Sequence, residues 1–396
     1  MKKEILNTEI QEFINSNLKS DITTLLLKGI SFNNIDTKTI IEQIEAKKRS
    51  EKKLPTWFSS SNIYFPNKLN IEQTSSEITA KYKANLVSGE SLIDLTGGFG
   101  VDSYYFSKQI DNITYCEINS KLSEIVRHNH EALNVSNIKC LNDNGIDLLK
   151  KTNQSFDWIY IDPSRRDDSK QKVFLLSDCK PNIKTFQDLF LKHSKHVMIK
   201  TSPLLDLSAT LADLKNVIAI HIIAVNNEVK ELLWVLERDF VGEVDVKTIN
   251  IRKENIQDFE FKFKEEALAV VEYCDPLTYL YEPNAAILKA GAFNSMSQQL
   301  KLNKLHKHSH LYTADKLVNF PGRSFKIDKQ IPFNKKSFAK EKIFKANITT
   351  RNFPISVHDI RKKLKVKDGG IIYLFFTTNK NEEKIILICS KAEYNL

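Results

Sequence analysis

One stretch, residues 92–102, constrains the fold of this chain more than any other. It reads Leu-Ile-Asp-Leu-Thr-Gly-Gly-Phe-Gly-Val-Asp, so an apolar run ends in Asp94 and meets three glycines within four residues. Residues 103–107 continue with the spacing of a helix start. Glycines let the backbone approach a ligand closely, and the first N–H groups of a helix stay free to donate. The stretch therefore predicts a buried parallel strand, a ligand-binding turn and a helix, with a tight turn that binds no ligand as the alternative.

Composition limits the class of protein. The 396 residues predict two or three domains, and 41% hydrophobic and 27% charged residues are typical of a soluble globular protein. No apolar run approaches the roughly 20 residues that span a bilayer, and the N-terminus lacks the apolar core of a signal peptide. Five dispersed cysteines without a Cys-x-x-Cys pair predict reduced thiols, a cytoplasmic protein and no structural zinc.

The net charge of +9 is distributed unevenly along the chain. Residues 301–396 hold 21 Lys and Arg against 8 Asp and Glu, a balance of +13, so the rest of the chain is mildly acidic. A basic segment attached to a neutral or acidic protein is typical of a polyanion-binding module. The alternative is a lysine-rich surface that only keeps the protein in solution.

Apolar runs alternate with helical patterns from residue 92 to residue 238, which predicts a parallel sheet with helices on both faces. The predicted strands are 91–95, 113–117, 138–144, 156–161, 196–200, 217–225 and 231–236. The short link between the last two predicts an antiparallel hairpin. Residues 1–60 are predicted to be helical, with Asp36 capping a helix that contains Ile40, Ile41 and Ile44.

Three motifs in this region resemble those of the class I S-adenosylmethionine-dependent methyltransferases. Asp-x-Thr-Gly-Gly-x-Gly-x-Asp resembles motif I and is neither the dinucleotide Gly-x-Gly-x-x-Gly nor a Walker loop. Glu117 ends the second strand 23 residues after Asp94 and resembles motif II, and Asp162-Pro163-Ser164-Arg165-Arg166 resembles motif IV. The resemblance implies an α/β fold with a Rossmann-like seven-stranded methyltransferase sheet, an N-terminal helical region and a C-terminal α+β module. The expected domains are 1–66, 67–240, 241–320 and 321–396.

The resemblance also implies a set of residues that bind S-adenosylmethionine. Glu117 is expected to accept hydrogen bonds from ribose hydroxyls, and Asn142 and Asp143 resemble the polar pair that meets the adenine. Capping of the helix at 145–151 is the alternative for Asp143, and an ordinary capped helix is the alternative for Gln73, Ser75 and Ser76. The expected cofactor-binding residues are Asp94, Thr96, Gly97, Gly98, Gly100, Asp102, Glu117, Asn142, Asp143, Gln73 and Ser76.

The motif IV resemblance implies that Asp162 positions the nucleophile or accepts its proton, and Pro163 stops the strand and fixes the corner. Arg165 and Arg166 are suited to hold a phosphate or a planar base. Arg165 replaces the aromatic residue found in enzymes that methylate exocyclic amines, which weakens that interpretation. A charged surface turn is the alternative for this segment, and Cys179 is expected to be structural rather than nucleophilic.

The C-terminal third resembles the ferredoxin-like and THUMP-like tail of a group of methyltransferases, and THUMP modules bind RNA. The resemblance therefore implies methylation of a base in tRNA or rRNA. A small-molecule or protein acceptor, or a non-catalytic RNA-binding protein, is the alternative. The sequence predicts no metal site and leaves the oligomeric state open. The candidate substrate-binding residues are Lys200, Asn226, Glu228, Lys230, Arg351, Arg361, Lys362 and Lys363.

Overall fold

A computed structural model describes residues 1–32, 35–165, 175–253 and 255–394. The described residues form two compact units, residues 1–218 with 233–241 and residues 219–232 with 242–396. None of the helices in these ranges combines the length and the apolar character that a bilayer span requires.

The first unit contains the predicted N-terminal helices. Asp36 caps α3, because its Oδ1 accepts a 2.8 Å hydrogen bond from the backbone N–H of Thr39, as the sequence predicts. Short 3-10 helices lie at Lys3–Leu6 and Leu176–Asp178. The α-helices of this unit are α1 Thr8–Ser16, α2 Ile22–Lys28, α3 Thr37–Lys53, α4 Pro55–Ser59, α5 Lys68–Gln73, α6 Glu77–Ala84, α7 Val101–Phe106, α8 Ser120–Ala132, α9 Gly145–Lys151, α10 Ile183–His193 and α11 Leu207–Asp213.

Seven of the first eleven strands lie at the predicted positions. The observed bounds of the fourth and sixth predicted strands, 156–161 and 217–225, agree with the sequence prediction. The strands are β1 Gly89–Asp94, β2 Ile110–Cys116, β3 Ile138–Leu141, β4 Phe156–Ile161, β5 Ser164–Arg165, β6 Cys179–Lys180, β7 Ser194–Thr201, β8 Val217–Val225, β9 Glu228–Glu237, β10 Asp245–Ile251 and β11 Ile256–Lys262. The seven at predicted positions are β1 to β4 and β7 to β9, and the two-residue strands β5 and β6 were not predicted.

Within the described ranges, nine of these strands form one sheet in the order β11-β10-β8-β9-β7-β4-β1-β2-β3. The strands β3, β2, β1, β4 and β7 are parallel neighbours, and their carboxyl ends therefore lie at one edge. β10 pairs with β8 in parallel and β11 pairs with β10 in antiparallel fashion, so the predicted seven-stranded sheet is extended by two strands. The predicted domain boundary at residue 240 therefore falls between strands of one sheet.

The second unit carries a separate sheet. Among the residues that the structure describes, seven strands follow the order β13-β14-β12-β15-β18-β17-β16. The strands are β12 Tyr279–Pro283, β13 Asn303–Lys304, β14 Tyr312–Ala314, β15 Gly322–Pro332, β16 Asn347–Thr350, β17 Tyr373–Thr378 and β18 Lys384–Ala392. The helices are α12 Glu265–Leu268, α13 Ala285–Ala290, α14 Phe293–Leu300, α15 Lys335–Lys340 and α16 Val357–Leu364.

Both faces of this second sheet are buried. Leu374 and Phe376 of β17 join one hydrophobic cluster with Phe338 of α15 and Ile360 of α16, whereas Phe375 joins a cluster on the other face. This alternation follows from the period of two in a strand, which sends successive side chains to opposite faces. A core on each side makes this unit a compact α+β module, as the sequence predicts.

Candidate active site

The candidate site lies at the carboxyl ends of β1 and β4, which are neighbours in the parallel sheet. β1 ends at Asp94, which is in register with Tyr160 of β4. Two residues beyond β1, Thr96 Oγ1 accepts a 2.7 Å hydrogen bond from the backbone N–H of Asp162. The structure therefore brings the predicted residues Asp94, Thr96 and Asp162 together, and Thr96 joins one loop to the other.

The glycine turn after β1 is packed tightly against β2. The backbone N–H of Gly97 donates to the carbonyl oxygen of Cys116 at 2.8 Å, and a Cβ atom at Gly97 would lie 2.1 Å from the ring of Tyr115. Gly98 and Gly100 have φ values of +55° and +74°, in the left-handed region that favours glycine. The hydroxyl of Tyr115 also donates to the Gly98 carbonyl oxygen at 2.6 Å. The shape of the turn therefore depends on these glycines.

Asp94 is a buried carboxylate with two hydrogen-bond donors. Its Oδ2 accepts from the Ser103 hydroxyl at 2.6 Å and its Oδ1 accepts from the Thr96 N–H at 3.1 Å. Burial raises the pKa of Asp94 to about 7, the carboxylates of Asp102 and Asp162 act in the same direction, and the two hydrogen bonds oppose them. A cation that enters the site would therefore favour the ionised form of Asp94.

Glu117 follows the end of β2 and contacts the glycine turn. Its Oε2 accepts from the Gly98 N–H at 3.0 Å and its Oε1 accepts from the Asn119 N–H at 2.7 Å. Burial raises the pKa of Glu117 above its ordinary value, while the two hydrogen bonds lower it. The carboxylate is therefore held next to the turn, and its contact with a ribose stays a prediction.

The two predicted adenine-binding residues lie beyond β3. The Asn142 side-chain amide donates to the carbonyl oxygens of Glu117 and Ile118 at 2.8 and 3.2 Å, while Asp143 is exposed. Asn144 caps α9, so the capping alternative for Asp143 is wrong. The side chain of Ile118 is 74% exposed next to Glu117, and sequence analysis did not select it.

Asp162 forms an ion pair at the end of β4. Its Oδ2 lies 2.5 Å from Lys200 Nζ, at the end of β7. The structure therefore pairs the predicted catalytic residue Asp162 with Lys200, which was predicted to bind substrate. Pro163 follows, and Ser164–Arg165 then pairs with Cys179–Lys180 in a short antiparallel ribbon. Arg166 and the side chain of Arg165 lie outside the described part of the chain. The predicted roles of both arginines therefore stay predictions.

Cys179 is a free cysteine that is buried in this ribbon. A buried thiol is the arrangement expected of a structural cysteine, because a nucleophilic thiolate needs access to its substrate.

Asp102 lies in a buried polar network behind the turn. Its Oδ2 accepts from the hydroxyls of Ser75 and Tyr160 at 2.7 and 2.8 Å, and its Oδ1 lies 3.0 Å from Lys83 Nζ. Burial acts to raise the pKa of Asp102, but the charges of Lys83 and Lys200 and the Ser75 hydrogen bond outweigh it and hold this pKa below its ordinary value. The carboxylate joins α7 to α6, and its predicted contact with the cofactor stays a prediction.

Lys83 is a member of this network that sequence analysis missed. Its side chain is fully buried and donates to the Ser75 hydroxyl at 2.8 Å. Lys83 lies on the same face of α6 as the buried residues Ala80 and Ala84. A lysine at helical spacing on an apolar face was the signal that could have identified it.

The other two predicted residues before the turn lie near α6. Ser76 caps this helix through a 3.3 Å hydrogen bond from the Thr79 N–H, which agrees with the capped-helix alternative. Gln73 is exposed at the end of α5. Their contact with a cofactor stays a prediction.

Three substrate candidates flank the turn between β8 and β9 in the second unit. Asn226 and Asn227 both have positive φ, at 51° and 65°, which suits a two-residue turn. The turn is shorter than the link 226–230 of the sequence prediction. Lys230 Nζ lies 2.6 Å from Glu228 Oε2, so these two predicted residues form an exposed ion pair. Asp162 and Lys200 belong to the first unit.

The remaining candidates lie in the C-terminal part of the second unit. Arg351 pairs with the buried carboxylate of Glu282 at 2.9 Å, and Arg323 pairs with the same carboxylate. Arg361 donates to the carbonyl oxygen of Ala346 at 3.2 Å and pairs with Asp368. Arg351 and Arg361 therefore form ion pairs within the second unit, and their contact with a substrate stays a prediction.

Lys362 and Lys363 of α16 are exposed. Lys363 Nζ lies 4.9 Å from the centre of the Phe333 ring, a cation–π distance. Their contact with RNA stays a prediction.

Residues 52–206 match the family described as conserved hypothetical protein 95, residues 279–321 match a ferredoxin-like domain, and residues 322–391 match a THUMP-like domain. The chain is also similar to a candidate methyltransferase of Porphyromonas gingivalis W83 that has a crystal structure. The two are 33% identical with a TM-score of 0.88, and the similarity covers 99% of each chain.

A second relative is an uncharacterised RNA methyltransferase of Mycoplasma mobile. It is 26% identical over 176 residues, which is 42% of this chain and 48% of that protein. The chain therefore spans about half the length of this curated relative.

Proposed function

This chain belongs to the family of methyltransferases that carry ferredoxin-like and THUMP-like domains at the C-terminal end, and on that premise we propose that it transfers a methyl group from S-adenosylmethionine to a base of tRNA or rRNA. The ion pair of Asp162 and Lys200 is the observation that carries the proposal. It lies at the end of β4, and Thr96 joins it to the glycine turn after β1. Doubly wound sheets bind ligands and place their chemistry at this edge.

The residues at this edge fit S-adenosylmethionine. A Cβ atom at Gly98 would meet no atom nearer than the Thr96 carbonyl oxygen at 3.8 Å, so the backbone there is open to a ligand. Asp94, Glu117 and Asp162 offer carboxylates to a cofactor that carries a sulfonium and an ammonium group. When bound, the cofactor would supply an electrophilic methyl group. Glu117 would hold its ribose, and Asn142 and Asp143 would meet its adenine.

The protein contributes position and charge to the reaction. Asp162 would position the nucleophile or accept its proton, and Lys200 fixes the orientation of that carboxylate through the 2.5 Å ion pair. Arg165 and Arg166 would hold the base or its phosphate. Holding two reactants in line converts a bimolecular step into an effectively unimolecular one, which we expect to be the main source of rate enhancement.

Three observations support RNA as the acceptor. The THUMP-like match covers residues 322–391, the region from 301 to 396 carries 21 Lys and Arg against 8 Asp and Glu, and the Mycoplasma mobile relative is described as an RNA methyltransferase. A basic module attached to a catalytic domain is suited to a polyanionic substrate, because phosphate contacts supply most of the non-specific affinity for nucleic acids.

The test is methyl transfer from labelled S-adenosylmethionine to size-fractionated total RNA from a strain that lacks the gene. We expect the wild-type protein to label one RNA fraction and Asp162→Ala to lose that labelling by about 100-fold or more, while calorimetry gives nearly the same cofactor affinity for both. Asp147→Ala is the matched control, because Asp147 is a half-exposed aspartate of α9 with one surface ion pair to Lys150.

Two outcomes would contradict the proposal. Unchanged labelling by Asp162→Ala would remove this residue from the reaction. No labelling by the wild-type protein, with cofactor binding confirmed by calorimetry, would favour a protein or small-molecule acceptor.

A further inference from the structure

Two loops of the second unit lie side by side at an edge of its sheet. Residues 342–346 precede the edge strand β16, and residues 365–371 join α16 to β17. The Lys367 N–H donates to the Phe344 carbonyl oxygen at 2.8 Å, and the Ala346 N–H donates to the Lys367 carbonyl oxygen at 3.0 Å. A parallel bridge between Lys345 and Lys367 joins the same loops. The backbone of both loops is therefore fixed by hydrogen bonds.

Each of the two loops has one apolar side chain buried in the core of the unit and another exposed to solvent. Ile343 and Val366 are buried in the hydrophobic cluster beneath, whereas Phe344 is 72% exposed and Ile371 is 87% exposed. The side chain of Lys345 lies against Gly369 and Gly370, the two residues that precede Ile371. Exposed large apolar side chains on loops with a fixed backbone are available to a partner, because they need no rearrangement of the chain to be contacted.

The two loops that carry Phe344 and Ile371 are also cationic. The two loops contain Lys342, Lys345, Lys365 and Lys367, and all four are exposed. The one carboxylate in the sequence of these loops, Asp368, pairs with Arg361. We call Phe344, Ile371 and these four lysines the Phe344 surface.

Resting on the proposed function, we propose that the Phe344 surface docks a single-stranded segment of the RNA substrate, with one base stacked on Phe344 and the neighbouring phosphates paired with the lysines. Aromatic rings combined with a cationic surface bind single strands without sequence readout, since every base has a π face. An RNA duplex keeps the faces of its bases stacked inside the helix, so it offers no base face on which the Phe344 ring could stack. An acidic protein would pair with the lysines in the same way, but it has no base to stack on the ring.

The test is binding of the full chain to a fluorescent single-stranded oligoribonucleotide and to the matching RNA duplex at one salt concentration. We expect the single strand to bind more tightly, and Phe344→Ala to weaken its binding by roughly 5- to 150-fold, which corresponds to about 1–3 kcal/mol for one stacked base. Duplex binding should change less than twofold. Phe344→Trp should retain the affinity for the single strand, because the larger ring also stacks.

Leu268→Ala is the matched control, because Leu268 is an exposed apolar residue of α12 in the same unit and should leave binding unchanged. Equal loss of single-strand and duplex binding in Phe344→Ala, or no loss in either, overturns the stacked base. Methyl transfer separates this result from the proposed function. If the wild type labels RNA while Phe344→Ala binds and labels normally, the docking surface alone fails. If the wild type labels no RNA but single-strand binding depends on Phe344, the proposed activity fails and the surface stands.

Discussion

The lysines near the candidate site in the first unit are paired and at least partly buried, whereas the lysines of the Phe344 surface in the second unit are exposed. Lys83 is fully buried beside Asp102, and Lys200 pairs with Asp162 at the end of β4. Lys345 and Lys367 are held at the backbone by a β-bridge and leave their side chains in solvent. The same residue type therefore occupies two different electrostatic environments in one chain.

The difference separates two uses of positive charge. Transfer of a lysine out of water costs several kcal/mol, and a partner recovers that cost only in good geometry, so a buried pair fixes the positions of the elements that carry it. An exposed lysine contributes little to stability and stays available to an external anion. We therefore expect charge removal in the first unit to destabilise the fold, and charge removal on the Phe344 surface to weaken binding alone.

Lys83→Met should have the largest effect on stability. The variant leaves Asp102 buried without its cation, and loss of one partner of a buried pair typically costs about 3–5 kcal/mol. The pKa of Asp102 should rise, because Lys83 is one of the groups that lower it. Urea denaturation should therefore show a larger loss of unfolding free energy at pH 8 than at pH 5, where the carboxylate can take up a proton more readily.

Lys365→Met is the control for Lys83→Met, because Lys365 is exposed and its replacement should change the unfolding free energy by less than about 0.5 kcal/mol. The double variant Lys83→Met, Asp102→Asn should recover part of the loss, since it removes the unpaired charge. Equal destabilisation by Lys83→Met and Lys365→Met would mean that the buried pair does not distinguish the two regions.

Sequence patterns predicted the sheet well because buried parallel strands are apolar runs with sharp ends. The strand 156–161 stops at Pro163, and the hairpin at Asn226 and Asn227 is marked by residues that tolerate positive φ. Which sheet a strand joins is a tertiary property. Residues 240–270 alternate in strand fashion, but this alternation gives neither the pairing of β10 with β8 nor that of β11 with β10. Local periodicity carries no information on such distant partners.

The candidate site was predictable where backbone geometry sets the residue type. Gly97 faces the ring of Tyr115 and leaves no room for a side chain, so the glycine motif marks the turn directly. Charged residues were harder to assign, because a carboxylate or a cation serves a ligand and an internal ion pair equally well. Asp102 and Arg361 were selected as ligand contacts and are held by Lys83 and Asp368 respectively.

Asp94 allows a second test of how burial of a charged group affects the stability of the first unit, and here the pH is varied. Its pKa is about 7 in the folded protein against an ordinary 3.8, because burial penalises the charged form. Between these two pH values the folded state therefore binds more protons than the unfolded state, and the free energy of unfolding falls as pH rises. Above about pH 7 the contribution of Asp94 no longer changes with pH. From pH 5 to pH 8 the contribution of Asp94 should be a loss of about 2–3 kcal/mol.

Asp94→Asn isolates that contribution from the other titrating groups. Asparagine is nearly isosteric and cannot ionise, so the variant should lose less unfolding free energy than the wild type between pH 5 and pH 8, and the difference should be the 2–3 kcal/mol assigned to Asp94. Parallel pH profiles of the two proteins would show that this carboxyl has an ordinary pKa in the folded state.

Replacement of Lys345 and Lys367 together by methionine should have the smallest effect on stability and the clearest effect on RNA. Methionine keeps the apolar stem that lies against Gly369 and Gly370, so we expect the unfolding free energy to change by less than about 0.5 kcal/mol. Each phosphate contact to a single strand adds about 0.7 to the slope of log affinity against log salt, so loss of two lysines should reduce the slope by about 1.4. Phe344→Ala should leave the slope unchanged, because a stacked base releases no counterions. If the double lysine variant weakens binding by the same factor at every salt concentration, these two side chains do not contact phosphates. The difference between the lysines of the two units would then be one of stability alone.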